Sequence, residues 1–474
     1  MLKCLIEGGF NMNKEHGRSP SFLEALIGLI LIITVIVGTI RIELVLETPL
    51  VLGSVTAALF GLYLGYSWDS IQEGMIDGIR NGLIACLILI IVGMVVGTWI
   101  LGGTIQTLIY YGLQFLSPTI FLPATFLLCA ITSLFIGSSF GTIATMGLVL
   151  LGVGGGLGIP AGMTAGAIAS GAIFGDKMSP LSDSTNLASA MTGANLFDHI
   201  GSMLWVTAPA TIISLILYTI IGLGQSGGAV DLQEVNTILE TLQSNFNITL
   251  LTLIPPVLVL ILSIKKVPAL ATLMISFFAG SLIAVITQGA SLSSIITVSA
   301  SGYEASTGVE FVDELLTHGG INMMMGTVAM ILAGTAMGGI LERCGVLKVL
   351  LNGMLQYVKT PRGLILSTLA SAYIMLLASA EMMVSIIVPG RTFQPAYNDM
   401  NVELSVLSRT LESAATLGCI ALPWGVASVY LQGVLDVGFE FIPYTFISFL
   451  APVIVIIYAV TNTGFGHGKK LERH

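Results

Sequence analysis

The sequence predicts an all-α polytopic membrane protein made of two inverted five-helix repeats, with re-entrant hairpins and broken helices. Three observations carry this prediction. Only 9% of the 474 residues are charged, where a soluble domain carries roughly 25%. Mean hydropathy is +0.95. Small and turn-forming residues of the first half recur in the second at a nearly constant spacing. A water-soluble fold of this size would need far more surface charge, and disorder, collagen and coiled coil fail on the same numbers. A net charge of −9 and the absence of a Lys/Arg stripe exclude a nucleic-acid partner. The expected partner is the lipid bilayer.

A spanning helix needs about 20 mostly apolar residues. Such runs lie at 22–40, 48–66, 82–102, 200–223, 248–264, 268–287, 321–341 and 440–461. The first is long enough to span, so it reads as a helix and not as a cleaved leader. Regions 103–199 and 342–439 are apolar but interrupted by Gly, Pro, Ser, Thr and charge. Five cysteines, Cys4, Cys86, Cys129, Cys344 and Cys419, show no CxxC spacing and read as small buried hydrophobes.

Positive residues favour the cytoplasm. Lys3, Lys14 and Arg18 precede the first run, Arg80 follows the second, and Lys265 and Lys266 lie between 248–264 and 268–287. Arg343, Lys348, Lys359 and Arg362 follow 321–341, and Lys469, Lys470 and Arg473 close the chain. Loops 225–247 and 289–318 hold Asp and Glu but no Lys or Arg, so they are placed outside and both termini inside. Each interrupted region must then hold one net crossing, which makes ten crossings in all. The surplus apolar residues read as hairpins near 119–157 and 363–395 and as interfacial arms, 103–118 with Tyr110 and Tyr111, and 342–362 with Tyr357. The chain divides into a cytoplasmic tail (1–21), a membrane repeat (22–224), an external linker (225–247), a second repeat (248–462) and a cytoplasmic tail (463–474).

Gly97 and Gly112 match Gly338 and Gly353 at an offset of 241. Ser117-Pro118 matches Thr360-Pro361, and Ser170, Gly175 and Pro180 match Ser413, Gly418 and Pro423, all at 243. The charge assignment runs corresponding spans in opposite directions. Inverted repeats of this kind place a binding site at the repeat interface near the midplane.

Ionisable groups at membrane depth cost roughly 2.5–3.5 kcal/mol each, so they mark function by default. The densest polar run is Gly175-Asp176-Lys177-Met178-Ser179-Pro180-Leu181-Ser182-Asp183-Ser184-Thr185-Asn186. Pro180 removes a backbone donor and breaks the helix. The freed carbonyls, the hydroxyls of Ser182, Ser184 and Thr185, the Asn186 side chain and two carboxylates are hard oxygen ligands for a small cation such as Na⁺. Asp183 and Asp176 are the candidate Na⁺ ligands. Asp183, with no basic neighbour in the chain, is the expected titrating group, buried among apolar residues. Asp176 is expected either to join it or to pair with Lys177. A carboxylate that takes either a proton or the cation couples the two flows with no cofactor beyond the transported ions.

A second polar cluster, Ser133 to Thr145, suits a hairpin tip, with Ser138 and Thr142 as candidate ligands. In the second half Glu381 stands 243 residues after Ser138, while Glu412 and Thr416 are i, i+4 neighbours on a helix. Arg409 is expected to cap the cytoplasmic end of its helix, and His199 to lie at the interface. The run Gly152 to Gly158 lacks the Lys-Ser/Thr ending and flanking strand of a phosphate loop.

The run GAIFGDKMSPLSDSTNLA (Gly171 to Ala188) resembles the signature of the NhaC family of Na⁺/H⁺ antiporters. Tyr110 to Pro118, Gly137 to Gly147, Asp198-His199, Leu407 to Glu412, Leu422 to Trp424 and Ile442 to Tyr444 resemble the same family, so the likeness runs from about residue 22 to 462. The resemblance implies Na⁺/H⁺ exchange across the cell membrane, with a hairpin-bearing transport domain moving against a scaffold. It places Asp176, Ser182, Asp183, Thr185 and Asn186 on the family's first-half motif and Thr142 on its hairpin. The second half departs from the pattern. Ser413-Ala414-Ala415-Thr416 follows Glu412 where the family has Asp and then Gly-Thr, Gly425 replaces a polar residue after Pro423-Trp424, and Ser379-Ala380-Glu381 replaces an Asn-rich tip. The alternative expectation is therefore a Na⁺- or H⁺-coupled antiporter of a small organic acid or amino acid. A homodimer is among the expected assemblies.

Overall fold

The computed structural model describes residues 17–40, 42, 47–225, 232–265, 267–356 and 358–463. The sidedness residues Lys3, Lys14, Lys266, Lys469, Lys470 and Arg473, the anchor Tyr357 and Cys4 lie outside the described residues. Within the described residues the architecture is all helical and polytopic, with one isolated β-bridge, Tyr303 to His318. Cys86, Cys129, Cys344 and Cys419 are free and buried, as expected.

The first helix, Phe22–Ile40, opens on a capping box. Ser21 and Glu24 exchange hydrogen bonds between side chain and backbone at 2.8 and 3.3 Å, and Arg18 grips the same glutamate. Glu47–Tyr63 follows, then the long helix Trp68–Leu101, which starts well before the expected span at 82. Its first turns carry Asp69, Glu73, Asp77 and Arg80, which lower the local hydropathy without disturbing the helical period. Gly74, Gly78 and Gly82, four residues apart, form a stripe against Thr335, Gly339 and Arg343 of Ile321–Arg343. A Cβ at Gly78 would collide with the Thr335 carbonyl. Arg343 also pairs with Glu73 across this contact. Ala269–Gln288 packs on the same long helix, where Trp99 donates to Ser276 at 3.1 Å. These helices make one layer of the bundle.

Two expected spans are modified by proline. Pro255 and Pro256 confine the α-helix to Ile254–Ile264, after a 3-10 turn at Leu250–Leu253. Pro443 lies in a 3-10 turn, Phe439–Tyr444, ahead of Phe446–Thr461. The stretches read as outer loops are largely helical: Leu232–Asn245, Leu292–Ser301 and Glu310–Leu316. The first of these lies on the arm Thr104–Phe115 and joins it through Gln243 to Tyr110 at 2.5 Å. Between the others, the backbone and hydroxyl of Thr307 donate to Asp313 and hold its carboxyl below the usual range.

Among the described residues eight helices could cross a membrane by length and composition, or nine if Val235–Asn245 and Leu250–Leu262, bent by 97°, form one span. The eight include hairpin helices, while Glu47–Tyr63 and Phe446–Thr461 are shorter, at 17 and 16 residues. The element order occurs twice. Arm, hairpin and broken helix run Thr104–Phe115, Pro118–Ile136 with Ser139–Gly156, and Ala161–Met178 with Asp183–Thr192. They recur as Val346–Leu355, Pro361–Ser379 with Met382–Asp399, and Leu404–Cys419 with Val426–Leu435. Leu196–Gln225 and Phe446–Thr461 close the two series and pack together.

The glycine stripe is testable. Overpacking a helix contact costs about 1–3 kcal/mol, so Gly78→Val should lower the melting temperature of the purified protein by several degrees. Gly38→Val, at a position with nothing within 4 Å, should leave it unchanged. Equal melting temperatures would argue against the close contact.

Candidate functional site

Each hairpin tip is brought to the break of the helix that follows it, and small residues make this possible. The first hairpin begins at Ser117-Pro118, with proline at the first helical position. It runs to Ile136 and turns at Gly137, whose φ of +70° suits glycine. Ser138 is extended, and its hydroxyl caps the next helix by accepting from Gly141 N–H at 3.2 Å. Gly171 and Gly175 of the broken helix face the carbonyls of Phe126 and Ala130 so closely that a Cβ at either would overlap them. Ser133 and Ser179 then tie the two helices together, donating to Ala172 O at 2.6 Å and to Leu134 O at 2.7 Å.

The result is a carboxylate held across the gap. Asp176 is 5% exposed, and its Oδ2 accepts from Ser139 N–H at 3.0 Å and Ser139 Oγ–H at 2.7 Å. Ser139 opens the second helix of the hairpin, so the carboxylate faces a helix N-terminus, where negative charge is favoured. Asp176 is thus not paired with Lys177. Lys177 is fully buried and points into the other half of the chain, where its Nζ donates to Ser413 Oγ at 3.1 Å. Glu412, beside Ser413, attracts the ammonium without forming an ion pair. Both Glu412 oxygens and the Thr416 hydroxyl are buried without a hydrogen-bond partner among the described residues. The Ser184 hydroxyl comes near Glu412, and the Ser182 hydroxyl near Asp176.

Several expectations are corrected. Asp183 is exposed, not buried among apolar residues, because the chain turns at Ser179-Pro180 and restarts at Asp183 with a new facing. Asn186 is exposed as well, and its amide donates to Pro180 O at 2.9 Å and Ser182 O at 2.8 Å. Thr185 donates to Lys177 O at 2.8 Å. These two side chains close the carbonyls freed by the break. Ser182 and Ser184 share a hydrogen bond at 3.1 Å, and Thr142 donates to Ser138 O at 3.0 Å.

Glu381 is buried but stands apart. It caps Met382–Asp399, accepting from Val384 N–H at 3.0 Å, and its neighbours are Ser379, Ser385 and Cys419. The preceding Ala380 has φ +58°, and its carbonyl accepts from Val426 N–H at 2.8 Å across the second break. The structure therefore brings together Asp176, Ser182, Ser184, Glu412 and Thr416, with Asp183 exposed at the edge of that group and close enough to repel Asp176, and it leaves Glu381 apart.

Arg409 is 1% exposed, inside the bundle and not at its cytoplasmic rim. His199 is also fully buried, near Lys177, with neither ring nitrogen hydrogen-bonded among the described residues. An Arg or His beside an apolar run is ordinarily exposed, so the local pattern does not reveal either burial. Gly137 to Gly141 spells G-x-S-x-G, the lettering of a nucleophile elbow. It sits between two helices, and Ser139 bonds to Asp176 and not to a histidine. It is a hairpin tip.

Paired hairpins meeting paired broken helices within a polytopic bundle, with buried charges between them, define a multi-pass membrane protein of transporter type. A model of the Na⁺/H⁺ antiporter family matches residues 21–185 and 171–463, and the chain belongs to that family. The NhaC resemblance holds over nearly the whole chain. The chain is 36% identical to the Na(+)/H(+) antiporter NhaC of Alkalihalophilus pseudofirmus over 459 residues, 96% of this chain and 99% of the relative. It is 38% identical to the malate-2H(+)/Na(+)-lactate antiporter of Bacillus subtilis over 447 residues, covering 94% and 96%. It is 35% identical to the arginine/ornithine antiporter ArcD of Halobacterium salinarum over 450 residues, covering 94% and 93%.

The contrast between the two aspartates can be measured by thiol labelling on a cysteine-free background. Asp183→Cys should react readily with a small polar maleimide. Asp176→Cys should react on the order of ten times more slowly, since burial limits access to the thiolate. Equal rates would contradict the placement.

Proposed function

We propose that the protein exchanges Na⁺ for H⁺ across the cell membrane by alternating access, with Asp176 as the group that takes one ion or the other. The observation that carries this reading is the enclosed Asp176 carboxylate, which receives two hydrogen bonds from the tip of a neighbouring hairpin. An isolated charge in such a place is costly. Protonation or a bound cation neutralises it, and a site that alternates between the two couples their flows. Hydroxyls of Ser182, Ser184 and Thr416, with Glu412 opposite, supply further hard oxygen donors for Na⁺. Na⁺ and H⁺ then compete at one carboxylate, so Na⁺ affinity weakens as pH falls.

The repeated element order supports an inverted repeat with both termini in the cytoplasm. Hairpins, broken helices and the two closing helices would move as one unit against the layer built on Trp68–Leu101 and Ile321–Arg343. Tyr430 joins the two halves of that unit, with its ring tilted against that of Phe140 at a centroid distance of 4.5 Å and its hydroxyl donating to the Phe140 carbonyl at 3.0 Å.

A second reading has its own support. Relatives named for malate and lactate exchange and for arginine and ornithine exchange match this chain as well as the NhaC relative does. A buried ammonium at Lys177 also suits an organic carboxylate. In this reading the cargo is a small organic acid or amino acid exchanged against Na⁺ or H⁺.

Proteoliposomes loaded with a pH-sensitive dye separate the readings. An imposed Na⁺ gradient should drive proton movement through the wild-type protein. Asp176→Asn should reduce it to background, and Asp183→Asn should retain most of it. Proton movement driven only by lactate, malate, arginine or ornithine would move the assignment to the second reading. Wild-type coupling in Asp176→Asn would remove Asp176 from the exchange.

A further inference from the structure

We propose that Lys177 is a tethered cation that competes with transported Na⁺ for Glu412 and so keeps the site from holding its cargo too tightly. The inference rests on the reading that Na⁺ is carried at this cluster.

Lys177 is the last residue but one of Ala161–Met178 and is wholly buried. An ammonium has three donors, and Ser413 is the one hydrogen-bond acceptor it meets among the described residues. Ser413 can accept because its own hydrogen goes to Arg409 O, at 2.8 Å. The adjacent Glu412 is equally buried, and neither of its oxygens has a hydrogen-bond partner among the described residues. Thr416, one turn further on, also has its hydroxyl unpartnered. Ammonium and carboxylate attract one another but form no ion pair.

Two enclosed opposite charges that stop short of each other are a costly arrangement, and either contact between them or a cation bound to the carboxylate would lower that cost. Lysine is suited to the part, being a compact charge on a stem of four carbons. Ser413 adjoins Glu412 on the same helix, so a change of rotamer would carry the ammonium from Ser413 to Glu412 and satisfy both groups. With Na⁺ on Glu412, like-charge repulsion holds the ammonium back at Ser413. Arg409, buried on the same helix as Glu412, repels Lys177. His199, the other titratable group beside Lys177, has both ring nitrogens unpartnered among the described residues. Asp176 is hydrogen-bonded to Ser139, so Glu412 is the carboxylate left open to the ammonium. A site holding unopposed carboxylates would bind Na⁺ strongly and release it slowly. A built-in competitor weakens binding without blocking it.

The test uses the full chain in two assays: Na⁺-driven proton movement in proteoliposomes, and the Na⁺ concentration that half-maximally raises the melting temperature in detergent. Lys177→Met keeps the stem and removes the charge, so both the KM for Na⁺ and the half-maximal concentration should fall by about tenfold or more. Lys177→Arg keeps the charge and should stay close to wild type. A lysine that only supports the fold would lower the maximal rate or the melting temperature without tightening Na⁺ binding. Unchanged or weakened Na⁺ binding in Lys177→Met therefore overturns the proposal.

Removal of the ammonium strands Glu412, so Glu412→Gln and the double variant Lys177→Met/Glu412→Gln complete the series. The double variant should bind Na⁺ as Glu412→Gln does. Tighter binding than Glu412→Gln would show that Lys177 acts elsewhere and would also overturn the proposal. A wild-type protein with neither Na⁺-driven transport nor stabilisation by Na⁺ removes the underlying reading as well, an outcome distinct from a Lys177 variant that fails alone.

Discussion

A carboxylate buried near the end of a helix needs donors, and here they come from another helix. Ser139 gives Asp176 both its backbone N–H and its hydroxyl. Much of the surrounding chain serves this contact. Gly171 and Gly175 let the hairpin lie on the broken helix backbone to backbone. Gly137 turns the tip through a left-handed conformation. Pro180 ends the helix beside Asp176, and Thr185 and Asn186 close the carbonyls that the break exposes. Irregular backbone at membrane depth is tolerated only when its polar groups are satisfied in this way.

The second half repeats the backbone plan with different side chains. Its tip turns at Ala380, and the cap that Ser138 provides in the first half comes from Glu381. At the offset of 243, Cys419 and Ile420 stand where the first half has Asp176 and Lys177, and Ala169 stands where the second half has Glu412. The charges are therefore divided between the halves. The first contributes Asp176 and Lys177, the second contributes Glu412, and Lys177 reaches across to Ser413. One composite cluster results, formed where the two broken helices approach each other.

The fold was largely legible in the sequence because its signals are local. Ser117-Pro118 and Thr360-Pro361 both proved to be helix starts with proline at the first position, and each hairpin lies close to where small residues interrupt an apolar run. The burial of individual charges was not legible. Asp176 and Asp183 are seven residues apart, two turns on a continuous helix, yet the break at Pro180 turns one inward and the other outward. The Lys177–Ser413 contact spans 236 residues, and no spacing rule reaches that far. Arg409 and His199 read as rim residues, yet both are enclosed, and the local sequence carries no sign of the packing around them.

Central to this account is competition between Na⁺ and H⁺ at Asp176. The most direct test is proton release on addition of Na⁺ to purified protein in weakly buffered detergent solution, near the pH at which half of the sites are protonated. The wild-type protein should release a substantial fraction of a proton, at most about one, for each Na⁺ bound, and Asp176→Asn should release none. Release of the same number of protons by Asp176→Asn would contradict the account.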